Sequence, residues 1–446
     1  MRKHLLVILS VLAIVAFATT AFALHEVPSQ EYTPSVVKTS KAQLELGGEI
    51  RIRGEVNNNL SDFNSDLEDG NQFYDQRVRL NAKATVSPNT FGFIELESGT
   101  DSTHDTTTWG SFDSKTGSMQ IRQAYISSNL GKVATLKAGH MLLALGNNLF
   151  FDHTKFGDDA LLLSIPAGGG ELTLLDIKLT EGSTSENDDL DGYVVAYGIP
   201  MGGANLSADL TYLRGHDKGT FDNGFRLFNL GLRADADLSG IKVKGDVELQ
   251  NGKLGEAEDQ FGNTIADEKK FRGWAVMVGA EIPAGMTSVR VNGAYGSGDK
   301  KDSDDKNEGF QTFLGNNQYF TYVYDYKAVT AACSTSTTGF ASCNSKHTGI
   351  NNTWYLNAGV TAKATPDLKL MADIYFLRAS KDVSDTEDSK AIGTELDAKL
   401  EYQIDTNLVY FVEAGYLWAG DLYKTVTAGE NPDNPYSVRH GLLLKF

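Results

Sequence analysis

The side chains best suited to acid–base catalysis are histidines that stand beside Asp or Ser in polar stretches. They are His104, His153, His216 and His347. Many lipases and proteases hydrolyse their substrates with a His that is paired to Ser or Asp. However, no nucleophile motif is visible, and in acidic, Ser-rich stretches such neighbours arise by chance. We therefore predict that this chain is not an enzyme, and we assign no catalytic residue and no cofactor.

Charged residues of both signs instead alternate with apolar ones, which is typical of β-strands. One side of IKVKGDVEL (241–249) is apolar, and the other carries Lys242, Lys244, Asp246 and Glu248. A charge that faces lipid costs roughly 2–4 kcal/mol at the bilayer midplane, so the charged side must face water. Many strands of this kind favour one closed sheet around a wet interior over a two-sheet sandwich with a dry core.

The charged sides of these strands are predicted to line a lumen in which the two signs are nearly balanced. The predicted pore-lining residues are Arg51, Arg53, Arg77, Arg79, Glu95, Glu97, Arg122, Arg233, Asp235, Lys242, Lys244, Asp246, Glu248, Arg290, Lys363, Asp373, Glu395, Asp397, Lys399 and Glu413. Most of them are expected to pair laterally and to hold neighbouring strands in register. Arg51, Arg53, Arg77 and Arg79 fall on adjacent strands, and we expect this basic ladder to contact any anionic solute.

Short turns alternate with long polar loops along nearly the whole chain, as periplasmic turns alternate with external loops in outer-membrane barrels. The turns are rich in Gly, Pro, Asn and Asp, which favour tight reversals. They lie at residues 87–90, 130–132, 166–169, 200–203, 238–240, 283–285, 365–367 and 405–407. We predict an all-β fold, a transmembrane antiparallel β-barrel of about eighteen strands, since barrels of this class have an even number. Sixteen strands remain possible if segment 158–166 or 191–200 is not a full strand.

The composition agrees with a single barrel. The chain has 446 residues, among them 45 Gly and 9 Pro, and its mean hydropathy is −0.27. After residue 23, no segment has the long apolar run that a membrane helix needs. No Pro-, Ser- or Gly-rich linker divides the chain into domains. The formal net charge is −18, and no nucleic-acid partner is expected.

Both ends of the chain point to export. MRKHLLVILSVLAIVAFATTAFA has a basic start, an apolar stretch and a small-residue cleavage site. We predict a signal peptide at 1–23 with cleavage before Leu24, a periplasmic tail at 24–42 and the barrel at 43–446. The alternating segment YSVRHGLLLKF ends on Phe446, and outer-membrane barrels characteristically end on an aromatic residue that their assembly machinery recognises. We therefore expect Phe446 to lie on the outer face, at the lipid interface.

Aromatic residues near strand ends predict the girdles that flank the lipid-facing band of such a barrel. An ordinary sheet position is the alternative for any single one of them. They are Tyr74, Trp274, Tyr295, Trp354, Tyr355, Tyr375, Phe376, Tyr416 and Trp418.

One predicted external loop differs from the others because it is apolar. LGNNLFFDHTKFGDD (145–159) contains Leu149, Phe150 and Phe151, followed by His153 and Lys155. Apolar side chains are unfavourable in water, so this loop is predicted either to fold into the lumen as a constriction or to pack over the barrel rim.

The two cysteines, Cys333 and Cys343, lie ten residues apart in the long seventh loop, in CSTSTTGFASC. In an exported protein a disulfide is the natural interpretation, and it would constrain the tip of the loop. Only His347 lies near them, so no metal site is predicted. The other long loops are rich in carboxylates, which would repel anions near the mouth of the channel.

Three pairs of stretches resemble the alginate-export type of outer-membrane barrel, a porin-like family. These stretches are GGEIRIRGEV (47–56) with QRVRLNAKATVSP (76–88), LKAGHMLLALGNNLFFD with FGDDALLLSI (136–165), and IGTELDAKLEY (392–402) with AGYLWAG (414–420). The resemblance implies a barrel of about eighteen strands and transport through its lumen. The chain departs from the family where His140 follows Gly139 in place of Arg, and its mixed lumen differs from the family's strongly basic duct.

We predict an outer-membrane porin, a water-filled channel for passive diffusion of small polar solutes. The first alternative is export of a polysaccharide, as the resemblance implies. The second is a barrel sheath that houses a multihaem cytochrome; the chain itself has no CxxCH, so any haem would belong to that partner. The expected partners are outer-membrane lipid, lipopolysaccharide, a polar solute and, through Phe446, the barrel-assembly machinery. A periplasmic partner is also possible.

Overall fold

Eighteen antiparallel strands close into one β-barrel in the computed structural model. The residues that the structure describes are 35–38, 42–67, 69–98, 107–110, 119–182, 184–185, 189–215, 224–255, 257–258, 264–266, 268–299, 305–312, 320–328, 349–382, 390–425, 427 and 429–446. In chain order, the barrel strands are β1 (Gln43–Asn58), β2 (Asn71–Ser87), β3 (Thr90–Ser98), β4 (Met119–Leu130), β5 (Ala134–Ala144), β6 (Asp152–Ala167), β7 (Gly170–Thr180), β8 (Leu190–Met201), β9 (Ala204–Gly215), β10 (Arg226–Leu238), β11 (Ile241–Leu254), β12 (Trp274–Ala284), β13 (Thr287–Gly296), β14 (Thr353–Lys363), β15 (Leu368–Ala379), β16 (Ala391–Asp405), β17 (Leu408–Ala419) and β18 (Tyr436–Lys445).

The barrel closes where β1 pairs with β18. The register runs from Glu49 opposite Lys445 to Asn58 opposite Tyr436, so neither strand keeps a free edge along that length. The strand number confirms the prediction of about eighteen. Segments 158–166 and 191–200 lie within the full strands β6 and β8, and sixteen strands are therefore excluded.

The alternation of polarity decides which face of each strand looks inward. On β11, Leu249 is 46% exposed on the outer surface, whereas Asp246 and Glu248 are 1% and 0% exposed inside. Val438 and Leu442 on β18 are exposed on the outer surface, whereas Ser437, directly before Val438 on the same strand, is buried inside. The outer surface is thus apolar and the interior holds the charges, as the period of two requires.

The predicted short turns join consecutive strands at one end of the barrel, which we call the short-turn end. Each connects an antiparallel pair, as in the hairpin between β10 and β11. There Ser239 and Gly240 have φ of 58° and 93°, the left-handed pair that a two-residue hairpin turn needs to match the strand twist. The opposite end carries the long connections, and we call it the long-loop end.

Several short elements supplement the barrel. The strand Ser35–Lys38 pairs with the start of β1, beyond the point that β18 reaches. Other short strands are Thr107–Thr108, Ala257–Glu258, Thr264–Ala266, Lys269–Phe271 and Lys306–Asn307, and a 3-10 helix spans Asp421–Thr425. Among the described residues, no helix has the length and apolar character to cross a membrane. The predicted signal peptide at 1–23 lies outside the described residues, as does most of the tail at 24–42.

The aromatic residues near the strand ends divide between the two faces. Tyr74, Trp274 and Trp418 are exposed on the outer surface, where the predicted girdles would lie. Tyr355 and Tyr375, however, are 1% and 2% exposed and face the interior. The girdle prediction is wrong for these two. Tyr355 is two residues from Asn357 and Tyr375 is two residues from Asp373, so each tyrosine shares the inner face of its strand with a polar residue.

Candidate functional site

The inner wall is held together by charge pairs that cross from one strand to the next. Arg53 Nε donates to Asp75 Oδ2 at 2.7 Å, and Arg77 Nε donates to Glu49 Oε1 at 3.0 Å. The first pair joins β1 to β2 directly across the ladder, and the second joins the same strands diagonally. Charge-assisted bonds of this kind hold neighbouring strands in register and cancel part of the charge that would face the lumen.

Arg122 links three elements of the wall. Its Nη1 donates to Glu95 Oε2 at 2.6 Å, and its Nη2 donates to the Thr154 carbonyl at 2.7 Å. Its Nε also donates to the Lys155 carbonyl at 3.2 Å. Arg122 therefore binds β4 to β3 and to the beginning of β6.

A single arginine contacts three buried carboxylates on the wall formed by β9, β10 and β11. Arg233 Nε lies 3.1 Å from Asp246 Oδ2, its Nη2 lies 2.5 Å from Glu248 Oε1, and its Nη1 donates to Asp209. Glu248 also accepts a bond of 2.6 Å from Asn229 Nδ2. The side chains of all these ion-pair partners are at most 4% exposed, so this cluster is dry.

The remaining predicted lumen residues differ in their surroundings. Arg290 Nη2 donates to Asp373 Oδ2 at 2.7 Å, and Lys399 Nζ lies 3.0 Å from Glu413 Oε1. Arg79 donates to Glu97. Four further predicted residues lie near the short-turn end. Lys244 is partly buried there, and the exposed ones are Asp235, Lys242 and Lys363.

The apolar loop between β5 and β6 enters the barrel and contacts the wall at β11. Leu149, Phe150 and Phe151 are buried, and the Asn147 N–H donates to Asp246 Oδ2 at 3.1 Å. A Cβ on Gly146 would lie 1.5 Å from Arg233 Nε, so only glycine permits this approach with the arginine in place. The loop thus lies over the cluster of Arg233 rather than on the rim.

Two residues assigned to this loop from sequence belong to a strand instead. His153 and Lys155 lie in β6, which begins at Asp152 and extends beyond the predicted segment 158–166. His153 Nδ1 lies 2.8 Å from Asp158, and its ring stacks on Phe151 with a centroid distance of 5.1 Å. His153 therefore supports the base of the loop.

A second segment of the chain, FTYVYDYKA at 320–328, lies inside the barrel and was not predicted from sequence. The backbone N–H groups of Tyr322 and Tyr324 donate to Asp397 and Glu395, at 3.1 and 2.9 Å, and that of Val323 donates to Glu395. Two neighbouring carboxyls of β16 thereby satisfy three consecutive amides, which fixes the segment against the wall.

Further contacts anchor the two ends of segment 320–328. Asp325 accepts backbone hydrogen bonds from Phe320 at 2.9 Å and from Gly349 at 3.1 Å. Burial raises the pKa of Asp325 to about 7. Lys327 donates to Glu55 on β1, and Tyr324 Oη lies 2.7 Å from Thr353 Oγ1.

Segment 320–328 therefore covers wall residues that the sequence assigned to the pore lining. Glu395 and Asp397 are 0% and 1% exposed behind it, and Glu55 is 3% exposed. The same sequence feature that singled out the loop of Phe150 and Phe151, apolar side chains in a predicted external loop, could have revealed this segment. Aromatic side chains cluster in an otherwise polar external loop, where water would not accommodate them.

A cleft lies on the inner wall formed by β1, β2, β17 and β18, and we call it the arginine cleft. It spans about 370 Å³, including space open to solvent, and is lined by Glu49, Arg51, Arg53, Arg77, Phe411, Glu413, Arg439 and Leu443. Four guanidinium groups face only two carboxylates in this set. The excess of positive charge, carried by planar donors, favours carboxylate or phosphate groups as ligands.

Catalytic and metal-binding chemistry receive little support from the described part of the chain. Among the four histidines considered for catalysis, only His153 is described, and it supports the base of the β5–β6 loop. His104, His216, His347 and the cysteine pair Cys333 and Cys343 lie outside the described residues. Within the described ranges, no three His, Cys, Asp or Glu residues are placed to hold a metal ion.

The fold matches solved structures of outer-membrane proteins. OpdL of Pseudomonas aeruginosa is 12% identical to this chain, with a TM-score of 0.56 over 90% of this chain and 98% of that one. OccK2 (OpdF) of Pseudomonas aeruginosa, solved in complex with glucuronate, is 10% identical with the same TM-score and coverage. The outer membrane protein opdK from Pseudomonas aeruginosa is 11% identical, with a TM-score of 0.54 over 90% and 99% of the chains.

Comparison with models of protein families finds no match, and comparison with curated proteins finds no relative. The resemblance to alginate-export barrels remains a prediction. At identities of 10–12%, the structural matches establish the fold alone. The chain is a closed antiparallel β-barrel of eighteen strands, with the fold of these outer-membrane proteins.

Proposed function

We propose that this chain is an outer-membrane porin through which small polar solutes diffuse passively. The observation that carries the proposal is the distribution of polarity on the closed barrel. Apolar side chains such as Leu249 cover the outside, whereas Arg53, Asp75 and Glu248 are inside. A closed barrel of this polarity satisfies all of its strand hydrogen bonds in lipid and encloses a polar path.

The arginine cleft supports anionic solutes as the ones that the channel binds. Arg51, Arg53, Arg77 and Arg439 converge there, and their ion-pair partners Asp75, Glu49 and Glu413 leave the group with a net positive charge. OccK2 (OpdF), which shares the fold, was solved with glucuronate, a sugar that carries a carboxylate. We infer that small carboxylate-bearing solutes pass through this cleft.

The two segments inside the lumen favour small solutes over large cargo. Loop residues 145–151 and segment 320–328 occupy space that a polysaccharide chain or a cytochrome would need. Polysaccharide export and the cytochrome sheath therefore remain alternatives from the sequence, without a specific structural observation in their favour.

The proposed location follows from the same role. We propose that the chain is exported by its signal peptide, loses residues 1–23 and enters the outer membrane. Phe446 would be recognised there by the assembly machinery, while lipid and lipopolysaccharide would surround the apolar outer face. The arrangement that supports this is a terminal strand whose Val438, Leu442 and Leu444 point outward together with Phe446.

Planar-bilayer recording of the purified protein tests the function. We expect steady ion-conducting steps, and we expect glucuronate to reduce the chloride current in a saturable manner. Arg51→Gln should weaken that block, whereas the matched change Arg226→Gln, at an exposed position at the long-loop end of β10, should leave it unchanged. A correctly folded barrel that carries no current would contradict the proposal.

A further inference from the structure

Tyr326 lies where segment 320–328 meets the arginine cleft. Arg439 Nη1 lies 3.4 Å from Tyr326 Oη and donates to it, and Arg439 Cζ lies 5.3 Å from the centre of the ring. Lys327 Nζ lies 4.4 Å from the same ring centre. Tyr322 and Tyr324 are buried, whereas Tyr326 is only partly buried. The Tyr326 hydroxyl therefore reaches the edge of the cleft through Arg439, which is one of the cleft residues.

Tyr326 lies at the edge of the cleft that is nearest to the long-loop end. Strand β18 runs from the long-loop end at Tyr436 to the short-turn end, and the cleft extends along it from Arg439 to Leu443. Tyr326 contacts Arg439, the cleft residue of β18 that is nearest to the long-loop end. Tyr326 therefore lies beside the cleft residue of β18 that a solute arriving from the long-loop end reaches first.

We propose that Tyr326 is a specificity-determining residue that contacts anionic solutes bound in the arginine cleft. A phenol oxygen can accept the bond from Arg439 while its own hydrogen is donated to a carboxylate. The ring also shields the bound anion from water, which strengthens its attraction to the guanidinium groups. This inference rests on the proposed function, since it concerns the solute that the channel conducts.

The charges around Tyr326 make its contribution dependent on pH. Burial by itself would raise the pKa of Tyr326, but Lys327, Arg53 and Arg439 outweigh that effect and lower its pKa to about 7. Glu55 opposes the lowering. A phenolate at this position is itself an anion bound to the arginines, so it competes with the solute. Solute affinity should therefore fall as the pH rises through this value.

Two other groups of the segment also have shifted pKa values, since burial raises the pKa of Asp325 to about 7 and lowers the pKa of Lys327. Other charged groups that face this site are held in ion pairs. Their ion pairs link Glu49 to Arg77, Asp75 to Arg53, Glu413 to Arg439 and Glu55 to Lys327. His440 lies on β18, but it contacts Tyr74 and Tyr410 rather than the cleft. Because Asp325→Asn removes the carboxyl that also titrates near 7, a change in affinity near neutral pH in that variant would report Tyr326.

Calorimetric titration of the full-length barrel in detergent with glucuronate tests the assignment. We expect the wild-type affinity to fall about tenfold between about pH 6 and about pH 8, as competition by one group with a pKa near 7 requires. In the Asp325→Asn background, which removes the other group with a pKa near 7, Tyr326→Phe should bind with an affinity that no longer depends on pH. Tyr324→Phe removes a hydroxyl that faces Thr353 instead and should retain the wild-type dependence.

The outcomes separate this inference from the porin function. If Tyr326→Phe keeps both the affinity and the pH dependence of the wild type, the assignment of Tyr326 is wrong, whether or not the channel conducts. The absence of glucuronate binding to the folded wild-type barrel would overturn it as well. If binding depends on Tyr326 but the wild type carries no current in a bilayer, the assignment stands and the porin function fails.

Discussion

The ring of Phe446 lies against Gly48, on the outer face of the seam that closes the barrel. The two residues exchange both backbone hydrogen bonds, at 2.7 Å from Gly48 N to Phe446 O and 3.0 Å from Phe446 N to Gly48 O. A Cβ on Gly48 would lie 2.7 Å from Phe446 Cζ. The last residue of the chain thus completes the ladder between β1 and β18 and occupies the space that the glycine leaves.

Enlarging Gly48 should weaken this seam. In Gly48→Leu the new side chain would displace the Phe446 ring and crowd the Arg79 carbonyl. We expect this overpacking to lower the free energy of unfolding by about 1–3 kcal/mol. The fraction of unboiled protein that migrates as a folded band in detergent gels should decrease. Gly92→Leu is a matched control on β3, since a Cβ there meets no atom within 4 Å. An equal folded fraction for the two variants would contradict this interpretation of the seam.

Removal of Phe446 should impair insertion into the outer membrane. The deletion loses the two closing hydrogen bonds to Gly48 and the aromatic terminus that assembly is proposed to require. Quantification of the protein in outer-membrane fractions should show a reduced level, whereas Phe446→Tyr should remain near the wild type. Normal levels of the deletion variant would refute the proposed role of the terminus.

Replacement of Arg233 should release the loop between β5 and β6. Arg233→Met leaves Asp209, Asp246 and Glu248 buried without their cation. Breaking such a cluster should lower the free energy of unfolding by about 3–5 kcal/mol. The barrel should melt earlier, and the conductance should rise because the loop loses its support. Arg226→Met, at an exposed position on the same strand, serves as the control. Unchanged melting and conductance in Arg233→Met would show that the cluster does not support the loop.

Replacement of Glu395 should detach segment 320–328 from the wall. Glu395→Leu removes the acceptor of two backbone N–H groups, those of Val323 and Tyr324, and each buried amide left without a partner costs about 1–3 kcal/mol. We expect larger and noisier single-channel currents. Glu171→Leu, at an exposed position at the short-turn end, should behave as the wild type. If Glu395→Leu conducts as the wild type does, the segment does not limit the current.

Anchoring of segment 320–328 should weaken as the pH rises. Burial raises the pKa of Asp325 from 3.8 to about 7, so the anchored state binds more protons than the detached state between these values. The stabilisation is therefore complete at acidic pH and is lost as the pH rises through about 7.

Hydrogen exchange followed by mass spectrometry checks this pH dependence. After correction for the intrinsic exchange rate, protection of residues 320–328 should be greater at about pH 6 than at about pH 8. Asp325→Asn cannot titrate and should abolish the difference, whereas Asp421→Asn, exposed at the start of the 3-10 helix, should retain it. Equal protection of the wild type at both pH values would exclude this role for Asp325.

Local pattern was sufficient to predict the barrel. Because side chains of a strand alternate between faces, Lys242 to Glu248 could be assigned inward and their apolar neighbours outward without any knowledge of contacts. The turns could be predicted as well, since a residue such as Gly240 with positive φ is a local requirement. Strand number followed from counting turns and loops, although the weak segments within β6 and β8 left it open until their pairing was known.

What fills the barrel depended on contacts between residues far apart in the chain. Glu395 accepts hydrogen bonds from residues 71 and 72 positions away, and Asn147 reaches Asp246 at a separation of 99. The alternation on β16 shows that Glu395 faces inward, but not whether water or another segment covers it. That is decided by the tertiary structure, because burying the aromatic side chains of segment 320–328 against the wall removes them from water and satisfies their backbone amides at the same time.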